Sequence, residues 1–222
     1  MLNNEEITRN KEEFTRLINS IERPGMNKEG LIGWLNSTDF FIAPASTKYH
    51  ESYAGGLCEH SLNVYYELCN LCVDKGYIVD SNTLKIVALM HDISKTNYYE
   101  TYDRNVKHYC EEGRQQDSKG RFDWITVTEY KVRDVDQRFL FGNHEMDSEF
   151  ITSQFIPLTM EESIAILHHM GKMNKDCAQH EITPIFDRYK LALLLHIADM
   201  FAVYMKTEIV DNNESGNVEA TK

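Results

Sequence analysis

The chain has 222 residues, with 23 Lys and Arg against 35 Asp and Glu, a formal net charge of −12 with His neutral. Apolar residues make up 42% and aromatics 11%, an ordinary globular composition that suffices to bury a core without disulfides. The scarcity of Gly (11) and Pro (4) excludes collagen-like and linker-rich chains, and the acidic balance disfavours long nucleic acids as partners.

In chain order, Ile7, Phe14, Leu17, Ile18 and Ile21 recur at helical spacing over 5–22, and Arg23-Pro24-Gly25 ends that segment. A second short helix is predicted over 27–36, and a loop over 39–53. Gly55-Gly56 precedes a helix over about 57–74. Asp80-Ser81-Asn82 is placed to cap an apolar helix over 83–92. Residues 103–137 carry turn signals and β-branched or aromatic residues, which predict a small β-hairpin inserted between helices. Helices follow over 145–156 and 160–170, the second opened by Thr159 with Glu162 three residues on, a capping-box pattern. The last helix is predicted over 187–206, and 207–222 reads as a polar tail. The fold class is therefore all-α with a β-hairpin insertion. A 1–36 helical segment packs on a 37–206 domain.

No predicted helix spans a bilayer: the longest apolar run, Leu191–Met205, contains His196 and Asp199. The polar start MLNNEEITRNKEEF is unlike a signal peptide, and five Cys, an odd number, suit reduced thiols in a cytoplasm. Cys69 and Cys72 lie beside Leu68 and Leu71 at helical spacing and read as core packing, not a zinc pair.

Nine His is above the usual share, and their placement carries the chemistry. His60 opens a helix, His91-Asp92 closes an apolar one, His144 follows the hairpin, and His168-His169 ends another helix. Asp199 sits inside LALLLHIADMFAVYM. A carboxylate in such a stretch needs a cation, a donor cluster or a metal, because burying it unpaired costs several kcal/mol. Imidazole and carboxylate are the ligands of Zn, Mn, Fe, Ni and Co sites.

His60, His91-Asp92 and Asp199, in that order, resemble the ligand pattern of the HD-domain metal-dependent phosphohydrolase superfamily. Gly55-Gly56-Leu57-Cys58-Glu59-His60-Ser61-Leu62 is similar to the GGLxxH[ST]L segment of a bacterial and phage branch. Leu89-Met90-His91-Asp92-Ile93-Ser94-Lys95 resembles that branch's LLHD[IL]xK segment. His169-Met170-Gly171 and the stretch ending in Asp199 extend the likeness over roughly 37–205. Relatives carry a GH-G-E segment where this chain has Gly142-Asn143-His144-Glu145. Counting back from Pro157 puts His144 at the family's His position, whereas counting forward from Gly142 puts Asn143 there; the first is taken here.

The resemblance implies an all-α HD-domain bundle and one or two divalent ions (Mn, Fe, Zn, Ni or Co, with Mg admissible). His60, His91, Asp92 and Asp199 make a minimum site. His144 and His169, 25 residues apart, would add a second metal bridged by Asp92. Asp92 and Lys95 would be catalytic, with Asp92 orienting a metal-activated water and Lys95 reaching a phosphate. His168, His196, Lys48, Tyr98 and Tyr99 are candidates for contacts to ligands or substrate, and Arg104, Lys107 and Trp124 on the hairpin for covering the site. The implied substrate is a nucleotide or a related small phosphate ester, with no membrane partner and with homo-oligomers permitted. A mixed-valent di-iron oxygenase of the same fold and a 3′–5′ exonuclease on single strands are the alternative readings.

Overall fold

Asn3 starts the first helix, α1 (Asn4–Asn19). Its side chain accepts from the Glu6 N–H, and the Glu6 carboxylate accepts from the Asn3 N–H, which satisfies two otherwise orphaned donors. Phe14, Leu17 and Ile18, with Ile21 just beyond, point into the core. The structure is a computed structural model that describes residues 1–140, 142–171 and 179–205, with the side chains of 179–181 left aside; the predicted tail lies outside these.

Helix α2 (Lys28–Ser37) adds Leu31 and Leu35 to that core. The bundle itself is α3 (Gly56–Lys75), α4 (Ser81–Met90), α5 (His144–Ser153), α6 (Met160–Leu167), α7 (Gln179–Arg188) and α8 (Lys190–Tyr204). Helix α3 packs on α4 and α8, α6 packs on α5 and α8, and α7 lies against α8. Cys72 is buried among these residues and Cys69 packs beside it as a free thiol, as the helical spacing predicts. No helix among the described residues is long and apolar enough to cross a membrane.

The insertion differs from the expected hairpin. Strand β1 (Tyr99–Tyr109) pairs antiparallel with β3 (Gly120–Val132), from Tyr99 opposite Val132 to Tyr109 opposite Phe122. A short β2 (Gln115–Asp117) pairs with the start of β3, which gives the order β1-β3-β2. The ribbon thus begins at Tyr99, four residues before the predicted start. The segment Thr101–Lys107 is polar and has no apolar alternation to announce a strand. What holds it instead is a row of cross-strand polar pairs: Arg104 with Glu129, Thr126 with Asn105, and Thr128 with Asp103. Residues 135–137 form a 3-10 turn, not strand.

Two helices and the turn after α1 join at one buried carboxylate. Glu162, fully buried at the N-terminal end of α6, closes the predicted capping box with Thr159. It also accepts from Thr83 Oγ1 on α4 at 2.7 Å and from Arg23, after α1. Glu162→Ala leaves Arg23 and Thr83 without their acceptor. The expected loss is about 3–5 kcal/mol of folding stability, read from urea midpoints, with no change in metal content of the protein that remains folded.

Candidate metal centre

Helix ends build the site. His60 lies one turn into α3, four residues after Gly56. Gly55 has φ +84°, and a Cβ on Gly56 would lie 2.0 Å from the Glu51 carbonyl oxygen. The glycine pair therefore lets the 39–53 loop press against the helix that carries His60. His91 is the last residue of the α4 turn, and Asp92 follows with φ −113° and ψ 15°. A 3-10 turn over Ile93–Lys95 then eclipses residues three apart, which sets Lys95 over Asp92. Asp199 comes from the middle of α8.

These groups converge. His60 Nε2 lies 3.3 Å from His91 Nε2, 3.2 Å from Asp199 Oδ1 and 3.6 Å from Asp92 Oδ2. His91 Nε2 is 3.4 Å from Asp92 Oδ2. The other Asp92 oxygen faces a different pair: His169 Nε2 at 3.6 Å and His144 Nε2 at 3.8 Å. His91, Asp92 and His169 form one tight group of ligand atoms, and His60, His91 and Asp199 a second. His144 stands just outside them, its ring 5.2 Å from that of His169.

The orientations are fixed from behind. His91 Nδ1 donates to Ala88 O at 2.8 Å, and His169 Nδ1 donates to Ile166 O at 2.7 Å. Each therefore turns a bare Nε2 towards the centre. Ser94 Oγ donates to the His144 carbonyl, and Ser148 Oγ donates to Ser94 Oγ, tying the start of α5 to the Asp92 turn. Asn143 is the N-cap of α5 and its side chain accepts from Met146 N, so of the two alternatives it is His144 whose ring faces Asp92.

Three buried atoms here, Asp92 Oδ1, His144 Nε2 and His169 Nε2, have no hydrogen-bond partner. The Asp92 oxygen and the bare Nε2 of His169 are both electron-pair donors, so neither satisfies the other. A divalent cation does, and the donor types suit one. The residues thus fit a metal.

Charge shapes the site further. Burial pushes the Asp92 carboxyl up, but the Lys95 ammonium, with the His91 and His169 imidazoles close by, outweighs it and holds the group well below the ordinary carboxylate range. Asp199 is likewise lowered, by His60 against its own burial. Lys95 Nζ donates to Asp92 Oδ2 at 2.6 Å, and that carboxylate raises the ammonium above its usual value although burial opposes it. Burial lowers His144 to about 3 and His50 to about 4. Unfolded, both rings return to about 6.5, so the unfolded chain binds more protons below that pH. The metal-free chain should therefore lose stability as pH falls from about 6.5 towards 4, at up to about 1.4 kcal/mol per pH unit for each ring. Asp92 and Asp199 extend the loss to lower pH. Urea midpoints measured between about pH 7 and 5 check this, and His144→Gln should flatten the slope.

The remaining candidates divide. His196 does not reach the cluster: its Nδ1 donates to the His169 carbonyl at 2.6 Å and its ring stacks on Phe186, so it holds the backbone of His169. A Cβ on Gly171 would lie 2.9 Å from that ring, which accounts for the glycine after His169-Met170. His168 caps α6 half-buried and joins none of the tight ligand groups. The ring of Tyr99, another candidate for substrate contact, is buried and its hydroxyl donates to Ala45 O, so it has no free face. Tyr98 carries Arg138 over its ring at 4.9 Å. Lys48 is exposed in a groove with Met1, Thr101 and Arg104, at the ribbon's base rather than the metal cluster. Arg104 pairs with Glu129, Lys107 with Asp117, and Trp124 Nε1 donates to Gln115, so these three bond within the ribbon.

Reasoning from sequence missed three residues. Arg138 lines the same small cavity as His144. His50 packs its ring 5.0 Å from that of His60, and Glu51 is buried beside them. The first follows a polar ribbon and the other two sit in a loop without periodicity, so no pattern marked them. A family model for the HD domain matches residues 57–202. No curated protein and no solved structure matches the chain.

Proposed function

The chain belongs to the HD-domain family, whose members are generally metal-dependent hydrolases, and from that premise we propose that it hydrolyses a phosphate ester of nucleotide size. The carrying observation is the division of Asp92. One oxygen faces His60 and His91, the other faces His144 and His169, and in the second set the facing atoms, Asp92 Oδ1 and the two Nε2, are left without hydrogen bonds. That arrangement suits two cations side by side with Asp92 between them, and Asp199 completing the first set.

Divalent ions held there would polarise a phosphoryl oxygen and acidify a water towards neutral pH. The chain's own groups do the rest. Lys95, 14% exposed and fixed on Asp92, presents its ammonium at the centre, where it meets developing negative charge on a phosphoryl group. Arg138, in the cavity beside His144, supplies a second cation for an anionic substrate. The local site is thus cationic within an acidic protein, so the net charge of −12 is no obstacle to a small phosphate.

The test is a panel of nucleoside mono-, di- and triphosphates, cyclic nucleotides and aryl phosphate esters. It is run on protein loaded in turn with Mn, Fe, Zn, Ni, Co and Mg. Metal-dependent release of phosphate or nucleoside without oxygen uptake supports the reading. Oxygen consumption by the iron-loaded protein, with no phosphoester hydrolysed, would replace it by the oxygenase alternative.

A further inference from the structure

His60 differs from the other two fully buried histidines of the centre. His91 and His169 each donate Nδ1–H to a backbone carbonyl three residues earlier. His60 Nδ1 is buried and makes no hydrogen bond. Facing it is the Glu51 carboxylate, with Oε2 at 3.7 Å, both side chains fully buried.

A neutral imidazole has one lone pair and one N–H. In the metal-free chain His60 Nε2 lies 3.2 Å from Asp199 Oδ1, where an Nε2–H donates. A metal on Nε2 needs that lone pair, so the proton must then reside on Nδ1. It also follows that Nδ1 cannot hold a further cation between His60, His50 and Glu51, although those three offer ligand atoms within 4.8 Å. The loaded state instead buries an N–H that requires an acceptor. An approach of about 0.8 Å brings Oε2 to ordinary hydrogen-bond length.

We propose that Glu51 is the positioning residue for His60: its carboxylate accepts the Nδ1–H and fixes the tautomer that turns Nε2 to the metal. The loop is built to hold it. Ser46 Oγ donates to the His50 carbonyl at 2.6 Å and accepts from Tyr49 N, cinching the turn before Glu51. The Glu51 carbonyl accepts from Ala45 N and Tyr53 N, and only a glycine at 56 fits against it. Glu51 itself sits at φ +40°, a conformation that disfavours a residue of its size and is kept here. The proposal rests on the reading of the cluster as a metal centre.

Cobalt(II) titration of the metal-free full chain, with chelator competition, tests it. Glu51→Ala should weaken binding by about 10–100-fold at one ion and shift the visible absorption of that ion. Glu51→Gln should recover most of the loss, since its amide oxygen accepts from Nδ1–H as the backbone carbonyls do for His91 and His169. Nitrogen-15 NMR of the unaltered protein loaded with zinc needs no variant: His60 should carry its proton on Nδ1. Unchanged affinity in Glu51→Ala, equal losses in the Ala and Gln variants, a third ion lost with Glu51, or a proton on Nε2 each overturns the positioning role. A wild-type chain that binds no divalent metal removes the metal reading itself, and this role with it.

Discussion

Asp92→Asn is expected to abolish hydrolysis, by about 10³-fold or more, and to release both metal ions. The magnitude follows from geometry. Among the described residues Asp92 is the one whose two oxygens face both halves of the cluster, at 3.4–3.6 Å on one side and 3.6–3.8 Å on the other. On the proposed two-ion reading, losing one anionic charge from between the cations would remove several kcal/mol from each, and about 1.4 kcal/mol is a factor of ten. Whichever way the amide turns, its N–H₂ end would offer no lone pair to an ion on that side. Asp199→Asn provides the contrast. Asp199 belongs only to the group with His60 and His91, 3.2 Å from His60, so that variant should lose one ion and keep the one held by His144 and His169. Elemental analysis after gel filtration gives the counts. Two ions retained in Asp92→Asn would mean that Asp92 does not bridge.

The residues legible in the sequence are those whose chemistry conflicts with their surroundings. Asp199 in an apolar helix and His91-Asp92 after Ala88-Leu89-Met90 are costly unless paired, and both lie in the cluster. The long apolar helices were legible for the complementary reason: their periodicity matches their burial, as with Leu84, Ile86 and Val87 on α4. Other features depend on tertiary partners. The ribbon's first half is polar and is held by pairs across the strands, which a local pattern does not reveal. Helix α7 contains Pro184, which reads locally as a breaker. Counting back from Pro157 points to His144 and counting forward from Gly142 to Asn143; in the folded chain the Asn143 side chain caps α5 through Met146 N and the His144 ring faces Asp92. Glu51 and Arg138 sit in irregular segments, where only the folded chain shows what they face.

Lys95→Met should move three quantities in different directions, which separates it from a variant that merely folds badly. In the metal-free protein Lys95 neutralises a buried carboxylate at 2.6 Å. Removing the ammonium leaves Asp92 uncompensated, and apo stability should fall by about 3–5 kcal/mol. Bound divalent ions would take over that compensation. Lys95 also competes with them, because it occupies the same Oδ2 that faces His60 and His91. Metal affinity should therefore rise, by about tenfold for each 1.4 kcal/mol of competition removed. Saturating metal should restore the melting temperature close to that of the unaltered protein. Hydrolysis should nonetheless drop by about 10²–10³-fold, since the charge placed to meet the phosphoryl group is gone. Lys95→Arg is no rescue: a planar guanidinium does not fit a point contact set by a 3-10 turn, so partial loss is expected there too. Chelator competition, thermal melts with and without metal, and initial rates measure the three effects. If affinity falls together with stability and activity, Lys95 supports the fold of the centre and does not act on the substrate.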